Sequence, residues 1–241
     1  LETHLNIGCV LQKTGDLDGA IKCYKKILKI NPNHSKTYNN MGNALKALGN
    51  TSAMKLDFSN ATSKFKEALE INPKDPEIFN NLAAVLLNQK KYKEALHYCN
   101  MAISYDPNYT EAFINKGLCL RIESRLNESI LSFNQAILLE PKYPDAFYHK
   151  GNSLQDQGKH LDALNSYDQA LKYNPDLYEA RSERLEVKQD ICNWSEFHQL
   201  ETEFRKFDVT RVSVKPFGFL PMEDHPERQL IRASKYALKK Y

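Results

Sequence analysis

The sequence predicts an all-α fold, a right-handed solenoid of stacked helical hairpins, and three observations predict it. Prolines recur at Pro32, Pro73, Pro107, Pro141 and Pro175, and the last three steps are each 34 residues. Within each step, small and apolar residues fall three and four apart, which places them on one helical face. Only 9 glycines stand in 241 residues. A fixed period of this length marks a repeat architecture whose units bury their apolar faces by stacking on their neighbours.

Each unit opens on a helix carrying an aromatic or similar residue, then a small one, then leucine. These triplets are His4/Gly8/Leu11, Tyr38/Gly42/Leu45, Phe79/Ala83/Leu86, Phe113/Gly117/Leu120 and Phe147/Gly151/Leu154. The small residue lets the partner helix approach, and the first-helix aromatic is expected to fill the gap beside it. The second helix supplies Ala20/Tyr24/Ile27, Ala61/Phe65/Ala68, Ala95/Cys99/Ala102, Ser129/Phe133/Ala136 and Ala163/Tyr167/Ala170. The closing proline cannot continue the helix and pushes the preceding residue toward extended geometry. Ten helices are therefore expected near 1–14, 17–30, 35–48, 58–71, 76–89, 92–105, 110–123, 126–139, 144–157 and 160–173. This grammar, clearest from Asn108 to Pro141, resembles the tetratricopeptide repeat, a helix–turn–helix unit. It implies five repeats at 1–34, 35–75, 76–109, 110–143 and 144–175, with a degenerate sixth, capping repeat at 176–208.

The first proline step is 41 residues, seven more than the others, and the surplus TSAMKLD lies between Gly49 and Phe58. Seven residues are close to two helical turns, so the insertion is read as a longer second helix, capped by Thr51 or Ser52. A binding role for it and a merely tolerated insertion are both open. After Pro175 the pattern degrades. A helix from Tyr178 to Ile191 places Arg181 where the aromatic belongs and Lys188 where the leucine belongs. A helix to about Phe207 follows, then an extended connector over 209–222, and a last helix with Asp224 and Glu227 as its capping box.

Bulk numbers bound the function. Net charge is +3, and residues 211–241 carry seven Lys/Arg against three Asp/Glu. The rest is nearly neutral, which argues against a nucleic-acid footprint. No apolar run is long enough to span a membrane, and no signal peptide is visible. The start at Leu1 leads us to expect a fragment. Cys9, Cys23, Cys99, Cys119 and Cys192 are odd in number and form no C-x-x-C pair, so a reduced, cytoplasmic setting is expected. No P-loop, dinucleotide fingerprint, zinc-protease motif or nucleophile elbow is present. No catalytic residue, metal site, cofactor or small-molecule substrate is expected, and the functional surface is read as a binding face for a polypeptide or protein partner. A homodimer is among the assemblies the sequence allows.

Two residues after each first-helix aromatic an amide recurs at Asn6, Asn40, Asn81 and Asn115, then His149. Four residues before these stand Lys36, Glu77, Glu111 and Asp145, with Glu179 in the cap. This stripe lies off the packing face and is expected on the concave side. An amide offers a donor and an acceptor to a peptide unit, so such a ladder suits sequence-tolerant binding of extended backbone.

The tail carries a second resemblance. Cys192-Asn193-Trp194-Ser195-Glu196-Phe197, then Val214-Lys215-Pro216-Phe217, then Asp224-x-Pro226-x-x-Gln229-Leu230 resemble the protein O-linked N-acetylglucosamine transferases and their SPINDLY-type relatives. In that family such a stretch joins the repeat arm to the catalytic region, and the likeness spans about Tyr178 to Tyr241. The resemblance implies that the asparagine ladder holds the main chain of a protein substrate. Where the animal enzymes have histidines after the proline, Phe217, Gly218 and Phe219 stand here, closer to bacterial members. The nucleotide-sugar-binding lobes would follow Tyr241, so this chain is expected to be the non-catalytic, substrate-presenting arm of a protein O-glycosyltransferase. One alternative is a stand-alone scaffold or adaptor for multiprotein assembly. Another is a co-chaperone adaptor gripping a C-terminal carboxylate. That grip needs Lys or Arg where Leu5, Asn39, Asn80, Glu111 and Asn115 stand.

Overall fold

The computed structural model describes residues 2–52 and 55–191, all-helical apart from short turns. The helices are α1 (Glu2–Lys13), α2 (Leu17–Ile30), α3 (Ser35–Ser52), α4 (Lys55–Ile71), α5 (Pro76–Asn88), α6 (Tyr92–Tyr105), α7 (Thr110–Ile122), α8 (Leu126–Leu139), α9 (Pro144–Asp156), α10 (His160–Tyr173) and α11 (Tyr178–Asp190). They fall into two compact units, α1–α8 and α9–α11, divided between Leu139 and Glu140. Within the first, helices pair as antiparallel hairpins and each hairpin packs on the next; within the second, α9 packs on α10 and α10 on α11. The expected elements after Ile191 lie outside the described residues, as do Cys192, the tail motifs and the last helix.

The turns between repeats follow from the residue before proline. Asn31, Asp106 and Asn174 are extended, at φ near −132°, −135° and −138°. Each closes its helix through its own backbone N–H, bonded four residues back. Its side-chain oxygen then accepts the N–H two residues on, at 3.1, 2.9 and 3.1 Å. The short side chain thus satisfies a backbone donor beyond the helix end.

The hairpin core sits where the small residue of the first helix meets the ring of the second. A Cβ added at Gly8, Gly42, Gly117 or Gly151 would stand 2.5–2.6 Å from Tyr24, Phe65, Phe133 or Tyr167. All four rings have no exposed surface. The ring over the glycine is therefore the second helix's, not the first-helix aromatic that the sequence suggested. Ser129, where the other repeats carry alanine, is fully buried and donates its hydroxyl to the Gly117 carbonyl at 2.8 Å.

The seven-residue insertion lengthens both helices of its hairpin rather than the second alone. α3 runs on through Ser52, so Thr51 and Ser52 are helical residues and not caps, and α4 begins at Lys55. Two turns of added antiparallel length bring a second small residue and a second ring together. A Cβ at Gly49 would meet the Phe58 ring at 2.8 Å, as one at Gly42 would meet Phe65 at 2.6 Å. Gly49 is seven residues after Gly42 and Phe58 seven before Phe65, so the extension repeats the packing unit at its own period.

In α11, Ala180, Leu185 and Val187 are buried, and Lys188 is only 7% exposed. Arg181 lies over the Tyr178 ring and donates to the Pro175 carbonyl, so a cation replaces the aromatic by covering one.

Candidate functional site

The first helices of α1–α8 carry the expected amides, and three of them bond to the preceding repeat. Asn81 on α5 donates its side-chain N–H to Asn39 Oδ1 on α3 at 3.1 Å. Asn115 on α7 donates to Asn80 Oδ1 on α5 at 2.7 Å. Each amide thus donates to the residue just before its counterpart in the preceding repeat. In the first repeat that place is Leu5, which has no acceptor, and Asn40 donates instead to Cys9 Sγ at 3.4 Å. Asn40, Asn81 and Asn115 are half-buried, and Asn6 is exposed.

The partners of these amides are buried. Asn39 is 4% and Asn80 6% exposed. Asn39 donates its own N–H to Glu77 Oε1 at 2.8 Å, a charge-assisted bond that fixes the amide. Burial, with the nearby charges of Glu111 and Glu77, pushes the Tyr109 phenol up to about 12. Asn39 and Asn80, weighed in the sequence only as places for a carboxylate grip, are the acceptors that sequence reasoning missed. Their signal is the doublet, Asn39-Asn40 and Asn80-Asn81, at one phase of two successive repeats.

Glu77 and Glu111 both act on Tyr109. In the second unit, burial and then the charge of Glu179 raise the Asp145 carboxyl above the usual aspartate range. His149 stands beside Tyr148, with ring centroids 4.9 Å apart. Lys36 is exposed.

Other chemistry does not converge. Among the described residues no group of three or more His, Cys, Asp or Glu could hold a metal ion. No helix among them is long and apolar enough to cross a membrane. Cys9, Cys23, Cys99 and Cys119 are free thiols. A cleft of about 340 Å³ is lined by Lys90, Lys91, Tyr92, Lys93, Glu94 and Glu123, none of them in the amide stripe.

One family model of the tetratricopeptide repeat matches residues 1–34, 76–109 and 144–177, and a second matches 23–55. A search of curated proteins returned no significant match. Among solved structures, YrrB, a TPR protein with an unusual peptide-binding site, is 27% identical. The likeness covers 73% of this chain and 88% of YrrB, with a TM-score of 0.55. PilF of Pseudomonas aeruginosa is 14% identical over 99% of this chain and 97% of its own, at a TM-score of 0.73. MamA is 22% identical over 70% of this chain and 95% of its own, at 0.60. The last two likenesses are of fold alone. The repeat period, the glycine-and-ring crossings and two repeat models that together span about half of the chain agree, and the chain belongs to the tetratricopeptide repeat family.

Proposed function

We propose that this chain is a tetratricopeptide scaffold that binds a polypeptide partner, holding it extended along the first-helix face. One observation carries the reading: Asn40, Asn81 and Asn115 recur on that face, half-exposed, each held in place by a bond to the preceding repeat. Each bond uses one side-chain N–H. The oxygen and the second N–H are groups that a peptide unit can meet. Asn6 and His149 extend the same phase of the sequence, and Glu77, Glu111, Asp145 and Glu179 add negative charge. The peptide-binding site of YrrB supports the same class of ligand. The repeat boundaries 1–34, 35–75, 76–109, 110–143 and 144–175, with a sixth at 176–208, belong to this proposal. So does a reducing, cytoplasmic setting, which suits the free thiols Cys9, Cys23, Cys99 and Cys119 among the described residues.

The narrower role, as substrate arm of a protein O-glycosyltransferase, rests on the sequence resemblance of about Tyr178 to Tyr241. The compared structures add nothing to it, so the stand-alone scaffold is the reading we carry.

Peptide-array binding of Asn40→Ala/Asn81→Ala/Asn115→Ala against the parent tests the proposal. A net bond contributes about 0.5–1.5 kcal/mol, so many unrelated peptides should weaken together. Melting curves accompany the array, because each change also removes an inter-repeat bond and should cost about 1 kcal/mol of stability. A folded triple variant that binds the array as the parent does would move the site to another face.

Acidic peptides should bind less well than basic ones, and salt should narrow the difference. Asp145 gives the second unit a pH dependence of its own. Its carboxyl is raised, so its charged form costs folding stability above that raised value, and the cost is relieved as pH falls. Asp145→Asn should therefore stabilise the fold at neutral pH and flatten this dependence, which melting curves at two pH values read.

A further inference from the structure

The bonds that hold the ladder all run in one sense. Asn81 reaches back to Asn39, Asn115 back to Asn80, and Asn40 back to Cys9. In a planar carboxamide, turning the nitrogen toward the preceding repeat turns the oxygen away from it. The three amides thus share one order along the stack, nitrogen on the side of the earlier repeat and oxygen on the side of the later one.

An extended peptide also has an order. Along one edge of a strand each outward residue presents its N–H and then its C=O in the N-to-C direction, and the next residue faces the other way. The amide oxygen accepts the peptide N–H, and the amide nitrogen donates to the peptide C=O. Only one strand direction brings both pairs together. Nitrogen on the earlier side meets C=O there, so the peptide N-terminus lies toward the later repeats.

We infer that Asn39 and Asn80 are positioning residues: by accepting from Asn81 and Asn115 they fix the order of the ladder and make it select a peptide running antiparallel to the repeats. Both are buried, so they act through the amides they orient rather than on the ligand. Asn39 is itself anchored by Glu77 at 2.8 Å. A donated N–H also polarises its amide, which makes the oxygen a better acceptor. The inference rests on the extended-peptide reading above.

The test uses the full chain and a capped twelve-residue peptide of alternating Lys and Thr, with a nitroxide at one terminus. Paramagnetic broadening of backbone amide signals is read in α1 and in α7. In the parent, an N-terminal label should broaden α7 and spare α1, and a C-terminal label should do the reverse. In Asn39→Leu/Asn80→Leu, affinity should fall by no more than about threefold, while either label now broadens both helices. Asn80→Asp keeps the acceptor oxygen and should keep the direction. A parent that takes the peptide in both directions, or parallel to the repeats, overturns the inference and leaves the binding face standing. A parent that binds neither this peptide nor any on the array overturns the functional reading, and the direction falls with it. If the double Leu variant does not fold, the parent still decides the direction and Asn80→Asp its cause. A folded double Leu variant that keeps the parent's direction removes the positioning role.

Discussion

The α7–α8 and α5–α6 hairpins meet one packing problem with opposite choices. In α7–α8, Phe133 lies against Gly117, where an added Cβ would stand 2.6 Å from the ring. In α5–α6 the equivalent places hold Ala83 and Cys99, both fully buried. One crossing pairs a large ring with no side chain, and the other pairs a methyl with a thiol. Glycine in a helix interior costs about 1 kcal/mol relative to alanine, so it is kept only where a ring needs the space. The difference teaches that the glycine answers the ring across it and not the crossing as such, because a close-packed interior has no room for both a ring and an added methyl.

The comparison can be broken from either side. The largest effect is expected from Gly117→Leu, since the Cβ alone already collides with Phe133. Overpacking of this kind costs about 1–3 kcal/mol or more, and at this size each kcal/mol lowers Tm by about 2–4 °C. An unchanged melting midpoint would dismiss the crossing assigned to Gly117. Next comes Cys99→Phe, which places a ring in a fully buried position beside Ala83 and should cost about 1–3 kcal/mol. Adding Ala83→Gly should recover most of that loss by recreating the Gly117/Phe133 pairing. Thermal unfolding of the two variants decides: if the second change recovers nothing, the two positions do not share one volume.

Much of this was legible in the residues. The proline period places helix ends within about two residues, as with 110–123 expected and Thr110–Ile122 found. Glycines at a fixed phase mark the crossings. The ring that fills each crossing was not legible, because both helices carry an aromatic and periodicity cannot say which one points across. The insertion was half legible: seven residues keep register on either helix, and only the pairing of Gly49 with Phe58 shows that the length is shared. On the amide face the sequence shows Asn40, Asn81 and Asn115 in register. It does not show that they donate to residues one position out of phase, because a polar residue beside the stripe reads as solvated surface until its burial is seen. Asn39 and Asn80 entered the sequence reading only as places where a carboxylate grip would need Lys or Arg.

The smallest expected effect sharpens the comparison by a single hydroxyl. α9–α10 uses the same glycine-and-ring crossing as α7–α8, but its ring is Tyr167, and the buried hydroxyl stands 2.8 Å from Asn152 Oδ1 and 2.6 Å from Gln155 Oε1. In α7–α8 those two places are Leu118 and Arg121, and the ring is Phe133. A similar rule holds at Tyr24, whose hydroxyl donates to Gln12 Oε1 at 3.0 Å. A buried hydroxyl thus brings polar partners with it, and a phenyl ring does without them. Tyr167→Phe should cost about 1 kcal/mol, mainly because Asn152, only 7% exposed, loses its partner. Asn152→Leu alone should cost a similar amount by leaving the hydroxyl with one bond fewer. The double variant rebuilds the Leu118/Phe133 combination and should come within a few tenths of a kcal/mol of the parent, since removing both partners can be nearly neutral. A double-mutant cycle of unfolding free energies measures this coupling directly. Strictly additive losses would mean that the hydroxyl and the amide act separately, and that the tyrosine hairpins and the phenylalanine hairpins differ for some reason other than this bond.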